Sequence, residues 1–295
     1  MMRLLGIFLA LAAGLAFAQA QPADREALWK EVAAAEKKGL PKTAAARLQL
    51  IYDSALRDGQ HAEAIKALAK RITHEGAVQG NKPEEKITRL RAELEKTPAE
   101  ARPLLQTILG HWYWQYFRVN RYRFLQRTAT AQPLGDDFTT WDLPRLYREI
   151  DLHFTNALAD GRLKTIPTTD FADLLTKPTL PEHYRPTLYD FIAHEALGFY
   201  TSGEFAAAKP EDAFEVRASD PLLGPLDKFL AWVPETTDTE SPQFKAVRLY
   251  QDMLRFHLDD ADSSALNDTD ILRLLHGKRI AAGDGTNDRF IEAMQ

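Results

Sequence analysis

The chain has 295 residues, of which 45% are hydrophobic and 27% are charged, so its composition is that of a globular protein of one or two domains. Its 37 basic and 42 acidic residues give a net charge of -5. This balance argues against a nucleic-acid partner, because phosphate binding needs a clustered positive surplus. Cysteine is absent, which excludes disulfides, thiolate metal sites, cysteine nucleophiles and a lipid-modified cysteine anchor.

Residues 1–20 have the pattern of a secretory signal peptide. Arg3 precedes an apolar run from Leu4 to Ala18, and Ala16, Ala18 and Ala20 offer cleavage sites. The run is shorter than the roughly 20 residues that cross a bilayer. We therefore expect an exported protein, periplasmic or extracellular and not a lipoprotein, with no membrane span after signal cleavage. An uncleaved anchor is the alternative.

Residues 21–130 are predicted to form a region of helical hairpins. Apolar spacing indicates three helices between Asp24 and Glu75, separated at Gly39-Leu40-Pro41 and at Asp58-Gly59. Such short loops require neighbouring helices to run antiparallel. The residues from Leu48 to Leu68 resemble about one tetratricopeptide unit, although no second copy occurs at the expected period.

A charged helix is expected at 84–96, and the next helix is predicted to run from Ala99 to about Thr128 as the long central helix of the fold. A helix that is apolar on all sides is typically buried between layers. One predicted face carries Leu104, Leu105, Ile108, Leu109, Trp112, Tyr116 and Val119, and the other carries Trp114, Phe117, Phe124 and Leu125.

Residues 131–295 are predicted to form a second helical region with proline-rich loops, packed on the first. The expected helices cover about 143–160, 171–175, 187–200, 226–233, 242–258, 268–281 and 287–295, and no segment alternates as a strand would. The fold class is therefore predicted to be all-α, an irregular array of antiparallel helical hairpins (a tetratricopeptide-like alpha-solenoid) around the central helix. The last helix has no terminating glycine, asparagine or proline, which favours a fragment of a longer protein.

Aromatic rings and arginines are interleaved between His111 and Arg127. Such rings and guanidinium groups can line a groove for a peptide, a protein or a sugar. The alternative is a core helix whose arginines pair with carboxylates. The candidate partner-binding residues are Tyr113, Trp114, Phe117, Arg118 and Arg121.

The remaining candidates for chemistry lack the spacing that a site requires. His194-Glu195 begins like the zinc-protease pattern H-E-x-x-H, but Gly198 stands where the second histidine is needed. His194 is instead expected to bond a neighbouring carboxylate. Asp136-Asp137 and the other paired aspartates are expected to be helix caps and solvated turns. We therefore predict no catalytic residue, no cofactor and no metal; a hydrolase using His194, Glu195 or the aspartate pair is the minor alternative.

Several blocks resemble the N-terminal helical region of bacterial alpha-2-macroglobulin family proteins. They are His111–Phe117 with the arginines after it, Asp136–Leu143 and Arg185–Leu197, and the opening Leu28–Val32 is similar as well. The resemblance implies a very long exported protease trap, in which this region precedes macroglobulin β-sandwich domains and a thioester formed between cysteine and glutamine.

This chain contains no cysteine and no β-sandwich pattern, so it would be only the leading piece of such a trap. The expected function is that of an exported, non-catalytic helical scaffold in a peptidase inhibitor. Its protein partner would be a protease or the remainder of a larger chain. The alternative is a self-standing periplasmic adaptor that binds a protein or a peptide.

Overall fold

A computed structural model describes residues 25–80, 82–126, 135–172, 174, 180–204 and 212–295. The predicted signal peptide lies outside these residues. The described residues form an all-α protein with twelve helices and no strand, which confirms the predicted class. The helices are α1 (Arg25–Lys37), α2 (Pro41–Arg57), α3 (His61–Val78), α4 (Pro83–Lys96), α5 (Arg102–Val119), α6 (Arg121–Leu125), α7 (Leu143–Leu158), α8 (Leu188–Tyr200), α9 (Leu226–Ala231), α10 (Pro242–His257), α11 (Ser264–Ile280) and α12 (Thr286–Ala293).

The ends of α1 and α2 are set by glycine. Gly39 and Gly59 have φ values of +64° and +67°, which side chains with a Cβ rarely adopt. In both turns the backbone N–H of the residue after the glycine donates to a carbonyl in the last turn of the helix. Leu40 N donates to Ala35 O at 2.9 Å, and Gln60 N donates to Ala55 O at 2.8 Å. These bonds satisfy terminal carbonyls in the Schellman pattern. The sequence therefore predicted these two helix ends correctly.

The starts of α7 and α8 are set by side-chain caps. The Asp142 carboxylate accepts a hydrogen bond from Arg145 N at 2.8 Å. Thr187 and Asp190 form a capping box, in which each side chain accepts from the other residue's backbone N–H. The predicted start of a helix near residue 143 is therefore confirmed, with Asp142 as its cap.

The predicted central helix from Ala99 to Thr128 is wrong in its bounds, because α5 begins at Arg102 and ends at Val119. Asn120 leaves the helical conformation at φ -107° and ψ 20°. Its side-chain amide donates to Tyr116 O at 2.9 Å, a carbonyl that also accepts from Asn120 N at 3.0 Å. The short α6 comes directly after this break. Residues 127 and 128 lie outside the described residues.

A 3-10 turn lies at Thr168–Phe171, and the helix expected at 171–175 falls partly outside the described residues. One smaller expectation differs from the structure. Helix α11 begins at Ser264, about one turn earlier than the spacing indicated, because Ser264 N bonds the Asp262 carboxylate at 2.9 Å. Further 3-10 turns lie at Phe138–Thr140, Gly161–Thr165, Glu182–Tyr184 and Pro221–Leu223.

The helices pack in chain order. Contacts join α1 to α2, α2 to α3, α3 to α4 and α4 to α5, and then continue through α7, α8, α10, α11 and α12. α5 also contacts α6 and α8. The buried side chains form one cluster from Val32 to Leu254, which includes residues on both sides of the predicted boundary at 130. Most of the described helices are therefore held by the hydrophobic faces of their neighbours, whereas α12 has no buried residue.

Two buried polar side chains hold the proline-rich segment that precedes α10. The Arg273 guanidinium, 1% exposed, donates to Leu222 O at 2.8 Å and Gly224 O at 3.1 Å. The Gln251 amide donates to Phe229 O and Trp232 O, both at 2.8 Å. Irregular backbone can be buried here because side chains supply the hydrogen bonds that a helix would otherwise provide.

Candidate partner-binding surface

The five candidate residues divide between the core and the surface. Tyr113 and Phe117 are 0% exposed, so they cannot line a groove, which corrects the predicted surface. The Tyr113 ring stacks on Trp141 and His153, and the Phe117 ring packs on Phe124 and Tyr147. Both point from α5 toward elements later in the chain. The remaining candidates are the partly buried Trp114 and the exposed Arg118 and Arg121.

Trp114 and Arg118 hold a carboxylate from a distant part of the chain. The Trp114 indole Nε1 donates to Glu204 Oε2 at 2.7 Å, and Arg118 Nε lies 4.0 Å from Glu204 Oε1. The Arg118 guanidinium also lies 5.7 Å from the centre of the Trp114 ring, which is cation–π geometry. Three groups thus form one unit at the surface, with Glu204 between a neutral donor and a cation.

The backbone of Glu204 is fixed as well as its carboxylate. The Tyr147 hydroxyl donates to Glu204 O at 3.1 Å. Burial raises the pKa of Tyr147, so this hydroxyl keeps its proton and remains a donor. Glu204 therefore occupies a defined position against α5 and α7.

Beyond this unit the chain turns at Asn120 and exposes apolar and basic side chains together. Val119 is 81% exposed and Tyr122 is 78% exposed, while Phe124, which like Tyr122 is on α6, is buried. Arg121 and Arg123 are also exposed. We call this surface the α5–α6 tip, and it consists of Arg118, Val119, Arg121, Tyr122 and Arg123.

The α5–α6 tip carries three arginines and no acidic residue of its own, and the Glu204 carboxylate lies beside one of them, Arg118. Among the described residues, neither Arg121 nor Arg123 forms an ion pair; Arg123 Nη2 donates to Thr139 O at 3.4 Å. The alternative of a core helix whose arginines pair with carboxylates is therefore not found for Arg121 and Arg123 in the described chain. Such a surface can bind a protein partner, because arginine and tyrosine are enriched at protein–protein interfaces.

The other candidates for chemistry lie apart from the α5–α6 tip. The His194 side chain is 9% exposed, and its Nε2 has no hydrogen-bond partner in the described structure. The predicted bond from His194 to a carboxylate is therefore wrong at this nitrogen. Glu195 Oε2 lies 3.3 Å from His111 Nδ1. Asp137 caps the 3-10 turn by accepting from Thr139 N at 3.0 Å, as the paired-aspartate pattern predicted.

A buried charged pair joins α8 to α10. His257 Nε2 lies 2.7 Å from Asp190 Oδ1, and His257 Nδ1 lies 2.7 Å from Asp260 Oδ2. Burial opposes the charged form of His257, but its hydrogen bonds to Asp190 and Asp260 outweigh burial, so its pKa is raised. Both imidazole nitrogens are thus committed to structural partners.

An open depression of about 410 Å³ lies beside α7, and its walls carry charges of both signs. Asp151 at its side is already engaged by the Tyr200 hydroxyl at 2.7 Å and by Lys245 Nζ at 2.8 Å. Lys245 also donates to Glu240 at 2.6 Å. The depression is therefore an internally neutralised surface. Its lining residues are Arg145, Arg148, Glu149, Asp151, Leu152 and Glu240.

Sequence reasoning placed Arg118 and Arg121 on the surface but missed Val119, Tyr122, Arg123 and Glu204. The asparagine at 120 was the available signal, because asparagine is frequent where helices end, and residues beyond a helix end leave the buried face. Glu204 carried no such signal, since it lies 90 residues from Trp114 in the sequence.

Two further observations bear on the candidate site. Within the described ranges, no group of three histidine, aspartate or glutamate side chains is placed to hold a metal ion. None of the helices described there combines the length and apolar character needed to cross a bilayer.

No family model, no curated protein and no solved structure matches this chain.

Proposed function

We propose that this chain is a non-catalytic helical scaffold that holds a protein partner at the α5–α6 tip. The observation that carries this proposal is the exposure of Val119 and Tyr122, 81% and 78%, on a surface with three arginines. Tyrosine and arginine are enriched among the residues that contribute most to binding energy at protein interfaces, and this surface presents both.

The rest of the chain would keep this surface rigid. We propose that the helices form an irregular array of antiparallel hairpins, similar to tetratricopeptide arrays. The contacts that join α1 to α2, α2 to α3, α3 to α4 and α4 to α5, and that continue through α7, α8, α10, α11 and α12, support this arrangement. In such arrays each unit is stabilised by its neighbours, and surfaces far apart in the sequence are held in fixed relation.

Site-specific photo-crosslinking tests the partner-holding function. A photoreactive amino acid replaces Tyr122 in one variant and Leu50, 46% exposed on α2, in a matched control, each produced in the native cell. We expect Tyr122 to yield one defined protein adduct, identified by mass spectrometry, because the α5–α6 tip lies in the interface. Leu50 should not yield that adduct. Identical adducts from both positions, or none from Tyr122, would contradict the proposal.

We propose further that the chain is the leading helical part of an exported, alpha-2-macroglobulin-like protease trap. The sequence blocks His111–Phe117, Asp136–Leu143 and Arg185–Leu197 support this relation, and residues 1–20 support export to the periplasm or the cell exterior. The reading frame beyond codon 295 tests it. We expect codons for β-rich domains and a cysteine–glutamine thioester; a stop codon without them would contradict it.

The alternative function is a self-standing periplasmic adaptor for a protein or a peptide. The same exposed Tyr122 favours it, because an adaptor needs only a binding surface. The two proposals share the α5–α6 tip and differ in whether the reading frame encodes further domains. An adduct at Tyr122 together with an early stop codon would select the adaptor.

A further inference from the structure

We propose that the α5–α6 tip recognises an acidic segment of its partner, whose carboxylates bind the guanidinium groups of Arg121 and Arg123. The inference rests on the proposed function and adds to it the chemistry of the partner. Its basis is a contact that the chain already makes with itself at this surface.

Glu204 demonstrates how the surface binds a carboxylate. It comes from a segment remote in sequence, yet its carboxylate is held by the Trp114 indole N–H at 2.7 Å. Arg118 approaches the other carboxylate oxygen at 4.0 Å and lies over the Trp114 ring. An aromatic side chain and an arginine thus already form a carboxylate-binding unit at one edge of the α5–α6 tip.

The same pair of residue types is repeated beside this unit without an acidic partner. Tyr122 is 78% exposed and stands between Arg121 and Arg123 in the sequence, and neither arginine pairs with a carboxylate of the described chain. A guanidinium group presents several N–H donors in a planar fork that fits a carboxylate. The surface can therefore accept further carboxylates from an acidic segment, with Val119 and Tyr122 contacting its apolar atoms.

An acidic protein segment fits better than a membrane. The apolar part of the α5–α6 tip consists of two side chains on a helix end, whereas interfacial membrane helices present a long apolar face. The whole chain carries a net charge of -5, which opposes close approach to an extended anionic surface. A short acidic segment meets only the local positive charge.

Fluorescence anisotropy tests the inference with the purified full chain. The probe is a labelled peptide of about eight residues in which glutamate alternates with glycine, and a lysine–glycine peptide is the charge control. Arg121→Glu/Arg123→Glu should weaken glutamate-peptide binding by about tenfold or more, since attraction becomes repulsion. The matched control is Lys37→Glu/Lys38→Glu on exposed positions at the end of α1, which makes the same change in net charge.

Each outcome of this experiment has a defined meaning. Binding that falls with added salt, and a several-fold loss with Tyr122→Ser, would support recognition by charge and ring together. Equal losses in the two charge-reversed variants, or equal binding of the lysine peptide, would overturn the inference. Binding to phosphatidylglycerol vesicles without binding to the glutamate peptide would overturn it in favour of a membrane.

The inference and the proposed function fail separately. In one result, Tyr122 yields an adduct with a partner that lacks acidic segments, and the glutamate peptide does not bind. This result would retain the scaffold function and overturn the recognition of an acidic segment. The opposite result is peptide binding that is lost in Arg121→Glu/Arg123→Glu, with no cellular adduct at Tyr122. It would retain the recognition chemistry and overturn the partner-holding function.

Discussion

The carboxylate of Asp190 is fully buried and serves two elements at once. Its Oδ2 accepts from Thr187 N at 2.9 Å and from Thr187 Oγ1 at 2.8 Å, which closes the cap of α8. Its Oδ1 lies 2.7 Å from His257 Nε2 on α10. Because removing one member leaves an uncompensated buried charge, such pairs are costly to break. A histidine between two aspartates has the composition of an acid–base site, but the hydrogen bonds of this group join α8 to α10.

Two helical glycines of similar sequence context should respond oppositely to alanine. A Cβ at Gly110 on α5 would lie 3.2 Å from the ring of Phe154, which is fully buried and cannot move away. A Cβ at Gly198 on α8 would lie 3.8 Å from Trp114, which is ordinary contact. Overpacking costs about 1–3 kcal/mol, whereas alanine gains about 0.5–1 kcal/mol over glycine within a helix.

We therefore expect Gly110→Ala to lower the free energy of unfolding by about 1 kcal/mol and Gly198→Ala to raise it by about 0.5 kcal/mol. Urea unfolding followed by tryptophan fluorescence measures both, and equal slopes would show that only stability has changed. The close packing of α5 against α7 would be contradicted if Gly110→Ala matched or exceeded the stability of the parent chain.

At the scale of helices, the sequence predicted most of the elements because their ends carry local signals. Gly39 and Gly59 mark the ends of α1 and α2, and Pro41, Pro83 and Pro242 lie at the starts of helices. The break at Asn120 was missed because apolar residues continue through it. Hydrophobic spacing reports which side of a helix is buried but does not report where the backbone leaves the helix.

The candidate surface was only partly predictable for a related reason. α5 is apolar on several sides, so periodicity could not separate the buried Tyr113 and Phe117 from the partly buried Trp114. Arg118 and Arg121 could be placed outside because arginine is almost never fully buried without partners. The contact with Glu204 depends on the packing of α5, α7 and α8 together, and no local pattern in the sequence encodes it.

At the scale of the whole molecule, four histidines are buried among the described residues, and three of them have lowered pKa values. Burial, with a smaller contribution from a nearby arginine, lowers the pKa of His153 to about 4, of His194 to about 3 and of His276 to about 4. All three are therefore neutral in the folded protein at pH 6.5. His257 is the exception, because its hydrogen bonds to carboxylates raise its pKa despite burial.

These pKa values predict that the protein loses stability in acid before its carboxylates are protonated. As pH falls below 6.5, the unfolded chain protonates these histidines while the folded protein does not, so the free energy of unfolding decreases until pH approaches their folded pKa values near 3 to 4. Each contributes a slope of about 1 kcal/mol per pH unit. His257 acts oppositely: its stabilising contribution is complete below pH 6.5 and is lost as pH rises through its raised pKa.

Urea unfolding at a series of pH values from 7.5 to 4.5 measures the net slope of the free energy of unfolding against pH. His194→Gln should reduce it by about one third of the histidine contribution, whereas Gly198→Ala on the same helix should leave it unchanged, since no titrating group is altered. Constant stability between pH 6.5 and 5 would show that these histidines are not shielded from water in the folded protein.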